Sequence, residues 1–322
     1  MKAIVLAGGH ATRLWPVTKN RAKPLLPLGD RPIIDFILEE LGEEADETII
    51  STNQKFKSDF EDYLEDYDRE NVSVVAENQA SESEKPGTIG AIINLLNSES
   101  LEDDLLVIGG DNYYSFSISS FLEFCREKDA PANVAFDVED IEIAKQVGIV
   151  DLDGDRIVDF VEKPDEPPST LGSIAVYYFP REDVELFHRY ERFYREETDV
   201  PEDRFLDEPG RLIEWAHEQT PMYAYSFSGE WFDVGTPEGY LKASASVADG
   251  NSVEGETENC VIGENVVVME NARLENVTIE NSIVFPETEI TDSEVRNSII
   301  DRDCVIENSD INDAVLGMHS RL

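Results

Sequence analysis

From about Asn251 onward the chain places one aliphatic residue every five or six positions: Leu274, Ile279, Val284, Ile290, Val295, Ile300, Ile306, Ile311 and Leu316. Asn, Asp, Ser, Gly and Glu fill the gaps. A repeat this short cannot bury its own apolar face, so successive turns have to stack into a solenoid, and the hexapeptide-like spacing points to a parallel β-helix of about four coils. Helix-length periodicity stops where this pattern starts, so the chain reads as a domain over 1–248 followed by a solenoid over 251–318.

The first 248 residues read differently. KAIVLA (Lys2 to Ala7), ETIIS (Glu47 to Ser51), VSVVA (Val72 to Ala76) and LLVI (Leu105 to Ile108) are short apolar runs of the kind that form core strands. Helical spacing over Pro32 to Leu41, Phe56 to Tyr67 and Thr88 to Leu96 separates them. The expected order is βαβαβα with a mainly parallel sheet. Further strands are expected at Val134 to Phe136, Gly148 to Leu152, Arg156 to Val161 and Ile174 to Tyr178, with a hairpin turn at Asp153, Gly154 and Asp155. Helices over Asp183 to Tyr194 and Pro237 to Ala248 close the domain. The fold class is therefore α/β followed by a β-helix.

Charge narrows the function. The chain carries 70 Asp and Glu against 26 Lys and Arg, a net charge of −44, so its field repels phosphate polymers and anionic membrane surfaces, and neither nucleic acid nor membrane is an expected partner. No run approaches the roughly 18 apolar residues of a membrane span, and a soluble, cytoplasmic protein is expected. The acid excess and the preference for Arg over Lys resemble halophilic proteins from salt-rich cytoplasm, where carboxylates keep surfaces hydrated. Cys125, Cys260 and Cys304 lie far apart and outside any CxxC spacing, which argues against disulfides and structural zinc.

Against that background the first 29 residues contain no acid, where an even spread would place roughly six. They carry Lys2, Arg13, Lys19, Arg21 and Lys23. The strand KAIVLA runs directly into Gly8, Gly9, His10, Ala11, Thr12 and Arg13, and a strand followed by a glycine turn lets backbone N–H groups approach phosphate oxygens while Arg13 and Lys23 supply charge. The pattern is neither GxGxxG nor GxxxxGK[ST], which disfavours a Rossmann hydride enzyme and a P-loop ATPase. A polyanionic small ligand fits. Asp111 follows the strand LLVIGG, at the end where open α/β sheets bind ligands, and Asp233 lies in the aromatic-flanked WFDVGT. Two carboxylates suit a hard cation such as Mg²⁺.

GGHATRLWP (Gly8 to Pro16), AKPLLPL (Ala22 to Leu28), GDN (Gly110 to Asn112), VEKP (Val161 to Pro164) and WFDVGTPEGY (Trp231 to Tyr240) together resemble the ordered signature of sugar-1-phosphate nucleotidyltransferases. The trailing repeat is similar to the left-handed β-helix of many members. The resemblance implies a Rossmann-like sheet and the reaction of a nucleoside triphosphate with a sugar 1-phosphate, giving a nucleotide sugar and pyrophosphate with Mg²⁺ as cofactor. It implies that Leu6, Ala7, Gly8, Gly9 and Thr12 line the nucleotide, that Arg13 holds the leaving pyrophosphate, and that Lys23 contacts the phosphates at the reacting centre. Gly87 and Thr88, in EKPGTIGA, resemble the segment along the nucleobase; a helix N-terminus with Thr88 near the cap is the alternative reading. Gly148 would lie against the sugar ring, Glu162 would accept hydrogen bonds from sugar hydroxyls, and Lys163 would hold the sugar phosphate. Asp111 and Asp233 would hold the metal.

Two departures stand out. Ala11 occupies a position where the family commonly has Gly, and a positive φ there would cost Ala about 1 kcal/mol or more. The glutamine that reads a pyrimidine in many members is not clearly placed, because Gln79 competes with Glu77 and Glu82. UTP and glucose 1-phosphate are the favoured substrates, with dTTP next and mannose-1-phosphate guanylyl transfer third. A catalytically silent regulatory subunit is a further alternative. Acyl transfer on the β-helix is disfavoured, since His319 is its sole histidine. The solenoid's expected role is structural, in subunit pairing within a homo-oligomer, so deleting 251–322 is expected to alter assembly or stability more than chemistry.

Overall fold

The computed structural model describes residues 1–67, 69–77, 87–99 and 103–322. Gln79 and Glu82 lie outside the described residues. The chain divides into two compact units, each assembled from separate segments. One comprises Met1–Gly8, Leu38–Gly110 and Ser115–Glu230; the other comprises Gly9–Ile37, Asp111–Tyr114 and Trp231–Leu322.

The first unit is built on a nine-stranded mixed sheet, counted among the described residues. Strand Lys2–Ala7 lies between Glu47–Thr52 and Leu105–Gly109, with Val72–Ala76 outermost, and these four run parallel. The three inner strands are largely buried on both faces, with Ile4, Val5, Ile49, Ile50 and Leu105 to Ile108 supplying the apolar core and Thr48, Ser51 and Thr52 buried among them. Beyond Leu105–Gly109 the sheet turns antiparallel through Leu171–Phe179 and Ala132–Asp137. Strand Tyr223–Ser226 pairs parallel with Ala132–Asp137, and the hairpin Gly148–Asp153 with Arg156–Glu162 closes the far edge. Parallel pairing is thus concentrated in the N-terminal βαβ region.

Helix Gly87–Ser98 sends Ile89, Ile92, Ile93 and Leu95 into the main core, where they meet Phe187, Tyr190, Leu212 and Trp215. Leu212 and Trp215 belong to helix Pro209–Ala216, which is absent from the order expected from the sequence. The chain leaves this unit after Gly8 and again after Gly110. Leu6 and Gly109 are register partners, and the Gly110 N–H donates to the Leu6 carbonyl at 2.9 Å, so both exits lie side by side at the C-terminal ends of neighbouring strands.

In the second unit, residues 252–316 form the left-handed β-helix. Its three parallel sheets hold five, four and four strands. Val267 pairs with Ile283 and Ile283 with Ile299, so each coil takes 16 residues. The aliphatics from Leu274 to Ile311 all point inward and are buried. Sharp corners require left-handed backbone, which Asn and Asp tolerate better than other side chains. Asn265, Asn281, Asn297 and Asp313 accordingly stack at φ 57°, 42°, 47° and 52°. Asn281 Nδ2 donates to Asn297 Oδ1 at 2.8 Å, and Asn297 Nδ2 to Asn312 Oδ1 at 3.4 Å, so the corners also form a ladder. Cys125, Cys260 and Cys304 are free thiols.

Left-handed backbone costs a β-branched residue about 1–2 kcal/mol, and one ladder hydrogen bond contributes about 1 kcal/mol. Asn297→Val is therefore expected to lower the unfolding free energy by about 2–3 kcal/mol in urea titrations, and Asn297→Gly by only about 1 kcal/mol.

Candidate active site

The acid-free segment folds as two tight turns in the second unit. Ala11 adopts φ 45° and ψ 46°, so the left-handed conformation anticipated from the sequence is present, and it precedes the short turn Thr12–Leu14. The Thr18 hydroxyl donates to the Ala11 carbonyl at 2.8 Å, and the Leu14 N–H donates to the same oxygen at 3.0 Å. Leu14 and Val17 anchor the turn in a buried cluster, which leaves Arg13 facing outward with 58% of its side chain exposed. A second turn, Lys23–Leu25, carries Lys23 with its side chain only 8% exposed. That burial excludes an exposed surface-turn role for Lys23.

Buried lysine needs paired charge. Asp111 Oδ2 lies 2.5 Å from Lys23 Nζ, and Asp233 Oδ1 lies 3.8 Å from it. Arg13 Nη2 is 3.8 Å from Asp233 Oδ2. The two aspartates are distant in sequence, and one strand pair unites them. Strand Asn112–Tyr114 runs antiparallel to Trp231–Asp233 with Asn112 opposite Asp233, and the Val234 N–H donates to the Asp111 carbonyl at 3.2 Å. Asn112 Nδ2 donates to Asp111 Oδ1 at 3.0 Å while its own Oδ1 accepts from Trp231 Nε1 at 3.0 Å. Asn112 thereby orients the carboxylate from behind.

Gly235 completes the arrangement. Its N–H donates to Asp233 Oδ1 at 2.8 Å. A Cβ there would lie 2.6 Å from Asp233 Oδ1, 3.0 Å from Arg13 Nη2 and 3.1 Å from Lys23 Nζ, so any side chain would fill the ground between these charges. Neither Asn112 nor Gly235 stands out as a site residue in the sequence, although both sit inside the motifs that carry the resemblance. Among the described residues, no cluster of three or more His, Cys, Asp or Glu side chains could hold a metal ion. Asp111 and Asp233, 41% and 40% exposed and converging on one cation, are a two-carboxylate donor set that fits a magnesium-like ion, which keeps waters and phosphate oxygens in its remaining positions.

Of the other expected residues, Gly9 and Thr12 belong to the second unit and the rest to the first. Leu6 and Ala7 end the central strand; Asn53 Nδ2 donates to the Gly8 carbonyl at 3.0 Å, and Glu77 occupies the space a Gly8 side chain would need. Gly87 opens its helix at φ 70°, with Thr88 in the first turn. Gly148 begins a strand opposite Glu162 in register. The Glu162 carboxylate is 6% exposed and wedged so closely that a Cβ on Gly210 would overlap Oε2. Lys163, at φ 46°, places Nζ 3.6 Å from Glu162 Oε1 and 3.2 Å from Glu208 Oε1, and Arg211 Nε lies 2.5 Å from Glu208 Oε2. The structure thus gathers Arg13, Lys23, Asp111 and Asp233 in one group, and Gly148, Glu162 and Lys163 in another. Glu208, Gly210 and Arg211 join the second group from a segment that no motif marked.

Burial pushes the Glu162 pKa up from its ordinary value of 4.5, with Lys163 opposing and Glu208 adding to the shift. Burial works against the Glu208 charge too, but Arg211 and Lys163 outweigh it and its pKa is lowered. Ionising Glu162 therefore costs folding stability above its ordinary pKa and costs nothing where folded and unfolded chains are both protonated. Glu162→Gln is expected to melt at a higher temperature than the parent at neutral pH, with the difference closing as the pH falls below 4.5. Calorimetry across a pH series checks both the sign and the window.

A family described as Nucleotidyl transferase matches residues 2–250, and one described as GlmU-like, C-terminal hexapeptide, matches residues 235–319. Glucose-1-phosphate adenylyltransferase of Clostridium novyi is 32% identical over 263 residues, covering 77% of this chain and 67% of that protein. Low-salt glycan biosynthesis nucleotidyltransferase Agl11 of Haloferax volcanii is 26% identical over 260 residues, covering 79% and 68%. Across the curated relatives the chain spans about two thirds of their length, from 61% to 68% in four of them. A solved UDP-glucose pyrophosphorylase complexed with UDP-glucose shares the fold, with a TM-score of 0.62 at 24% identity over 77% of this chain and 98% of that one. With the family match extending over residues 2–250, the paired aspartates around Lys23 and the hexapeptide solenoid behind them, this chain belongs to the nucleotidyl transferase family.

Proposed function

We propose that this protein joins a nucleoside triphosphate to a sugar 1-phosphate, releasing pyrophosphate. The observation that carries the proposal is the convergence of Lys23, Arg13, Asp111 and Asp233 beside a glycine that leaves room between them. In the reaction, an oxygen of the sugar phosphate attacks the α-phosphorus, the bond from that phosphorus to the β-phosphate oxygen breaks, and pyrophosphate leaves with the electron pair. Two polyanions must meet, so positioning and charge neutralisation dominate the barrier. Lys23 neutralises the reacting phosphates, Arg13 the departing pyrophosphate, and the backbone of Leu6 to Gly9 and Thr12 lines the triphosphate. A divalent ion held by Asp111 and Asp233 supplies further charge to the phosphate oxygens when bound.

On the sugar side, Lys163 exchanges its contact with Glu208 for the sugar phosphate, while Glu162 and the Gly148 backbone receive the sugar ring. Gly87 and Thr88 lie along the base. The specific reading is UTP with glucose 1-phosphate, supported by the likeness of the RLWP, KPLLP and EKPGT segments to archaeal-type uridylyltransferases; dTTP is the second reading. The strong net negative charge favours assays in high KCl.

Pyrophosphate release measured for UTP, dTTP, GTP, CTP and ATP against several sugar 1-phosphates decides the substrates. The UTP and glucose 1-phosphate pair is expected to give the highest kcat/KM, and preference for another pair would overturn the specific reading. Asp111→Asn and Lys23→Met are each expected to lower kcat by about 100-fold or more. Turnover by Asp111→Asn at the parent rate in excess Mg²⁺ would remove Asp111 from the metal set, and no pyrophosphate from any pair with the parent would favour a silent nucleotide-binding subunit.

A further inference from the structure

Lys19, Arg21 and Lys23 stand close together in the cationic opening segment, yet Arg21 does not join the aspartates around Lys23. Arg21 Nη2 lies 3.4 Å from Asp301 Oδ1, on the solenoid, and its guanidinium carbon is 5.3 Å from the centre of the Phe285 ring. The pair is enclosed, with 16% of the Arg21 side chain and 3% of the Asp301 side chain exposed. Arg21 Nη1 is buried without a hydrogen-bond partner among the described residues. Asp301 is itself fixed: its Oδ1 accepts from the Arg302 N–H at 2.9 Å, and its carbonyl accepts from the Thr288 hydroxyl at 2.8 Å.

The rest of the loop is pinned to the same surface. Val17, Leu26 and Leu28 share one buried cluster with Val267, Ile283, Phe285 and Ile299. A Cβ on Gly317 would lie 2.7 Å from Pro16 Cγ, so the last coil meets the loop with no space for a side chain. Two residues after Arg21, Lys23 opens a hydrogen-bonded turn, with the Leu25 N–H donating to the Ala22 carbonyl at 3.0 Å and the Leu26 N–H to the Lys23 carbonyl at 2.9 Å, so little chain separates the two cations. A buried ion pair adds little net stability over an apolar pair of similar size. It does impose direction, because each charge tolerates only the placement in which the other meets it.

We propose that Arg21 and Asp301 are a positioning pair through which the solenoid sets the Lys23 ammonium between Asp111 and Asp233. The inference rests on the phosphate-binding role of Lys23 proposed above. It makes the β-helix part of the apparatus for turnover, beyond the purely structural role expected from the sequence.

The test uses the full chain and compares Asp301→Asn, Arg21→Met, their double variant and Arg21→Lys. A misplaced catalytic group costs about 10- to 100-fold in rate, so Asp301→Asn and Arg21→Met are each expected to lower kcat by that factor. The KM for sugar 1-phosphate and the circular dichroism spectrum stay at parent values. The double variant is expected to be no slower than the slower single, and Arg21→Lys to regain part of the rate lost in Arg21→Met. Parent kcat in Arg21→Met, additive losses in the double variant, or losses that follow the unfolded fraction would each overturn the proposal. Should Asp301→Asn fail to fold, the comparison of Arg21→Met with Arg21→Lys decides alone. Lys23→Met separates the two readings: if it is inactive while Arg21→Met and Asp301→Asn turn over normally, only the positioning role fails; if Lys23→Met turns over normally, the phosphate role of Lys23 fails first.

Discussion

One ammonium organises the second unit. Lys23 is almost completely enclosed, and a buried cation is tolerable only where carboxylates meet it. Asp111 and Asp233 provide them from one end of a short antiparallel pair, where the first strand begins and the second finishes. The strand pairing, the hydrogen bonds of Asn112 and the small footprint of Gly235 all serve that arrangement. The carboxylates remain about 40% exposed and keep access to water, while the ammonium behind them is enclosed.

The solenoid supplies the rigidity that such a loop lacks by itself. Two tight turns with a non-glycine residue at φ 45° have little internal stability, and they gain it by laying Val17, Leu26 and Leu28 on a surface whose coils are locked by stacked aliphatics inside and stacked Asn and Asp at the corners. Left-handed corners repeated every 16 residues produce flat, parallel sheets with little freedom to shear. A flat, stiff face is a suitable base for a charged loop.

The Glu162 group in the first unit follows another logic. Glu162 is held by steric closure, with Gly148 opposite and Gly210 against its carboxylate, while Lys163 sits on a left-handed backbone between Glu162 and Glu208. Burial favours the neutral acid at Glu162, and the Arg211 contact keeps Glu208 charged. Neighbouring carboxyls are thus driven in opposite directions, one toward its neutral form and the other toward its charged form beside Lys163 and Arg211.

Much of this architecture is legible in the order of residues along the chain. The apolar runs at Lys2 to Ala7 and Leu105 to Ile108 mark central strands because strands buried on both faces must be apolar throughout, and the aliphatic spacing after Asn251 marks coils because so short a repeat is buried only by stacking. The absence of acids before Asp30 points to the cationic loop. Helix Ile118–Lys128, with its apolar positions at Ile118, Phe121, Leu122 and Cys125, carries a helical period that the expected order leaves out. Glu208 and Arg211 carry no such signal, since a charged pair at helical spacing looks like any solvated face. Local chemistry along the chain therefore determines which segments are strands, coils and charged turns, because each depends on neighbours within a few residues. How charges meet is decided by tertiary structure: Asp233 reaches Asp111, and Asp301 reaches Arg21, through strand register and coil stacking over long separations; the motif resemblance groups the two aspartates, whereas nothing in the sequence pairs Arg21 with Asp301.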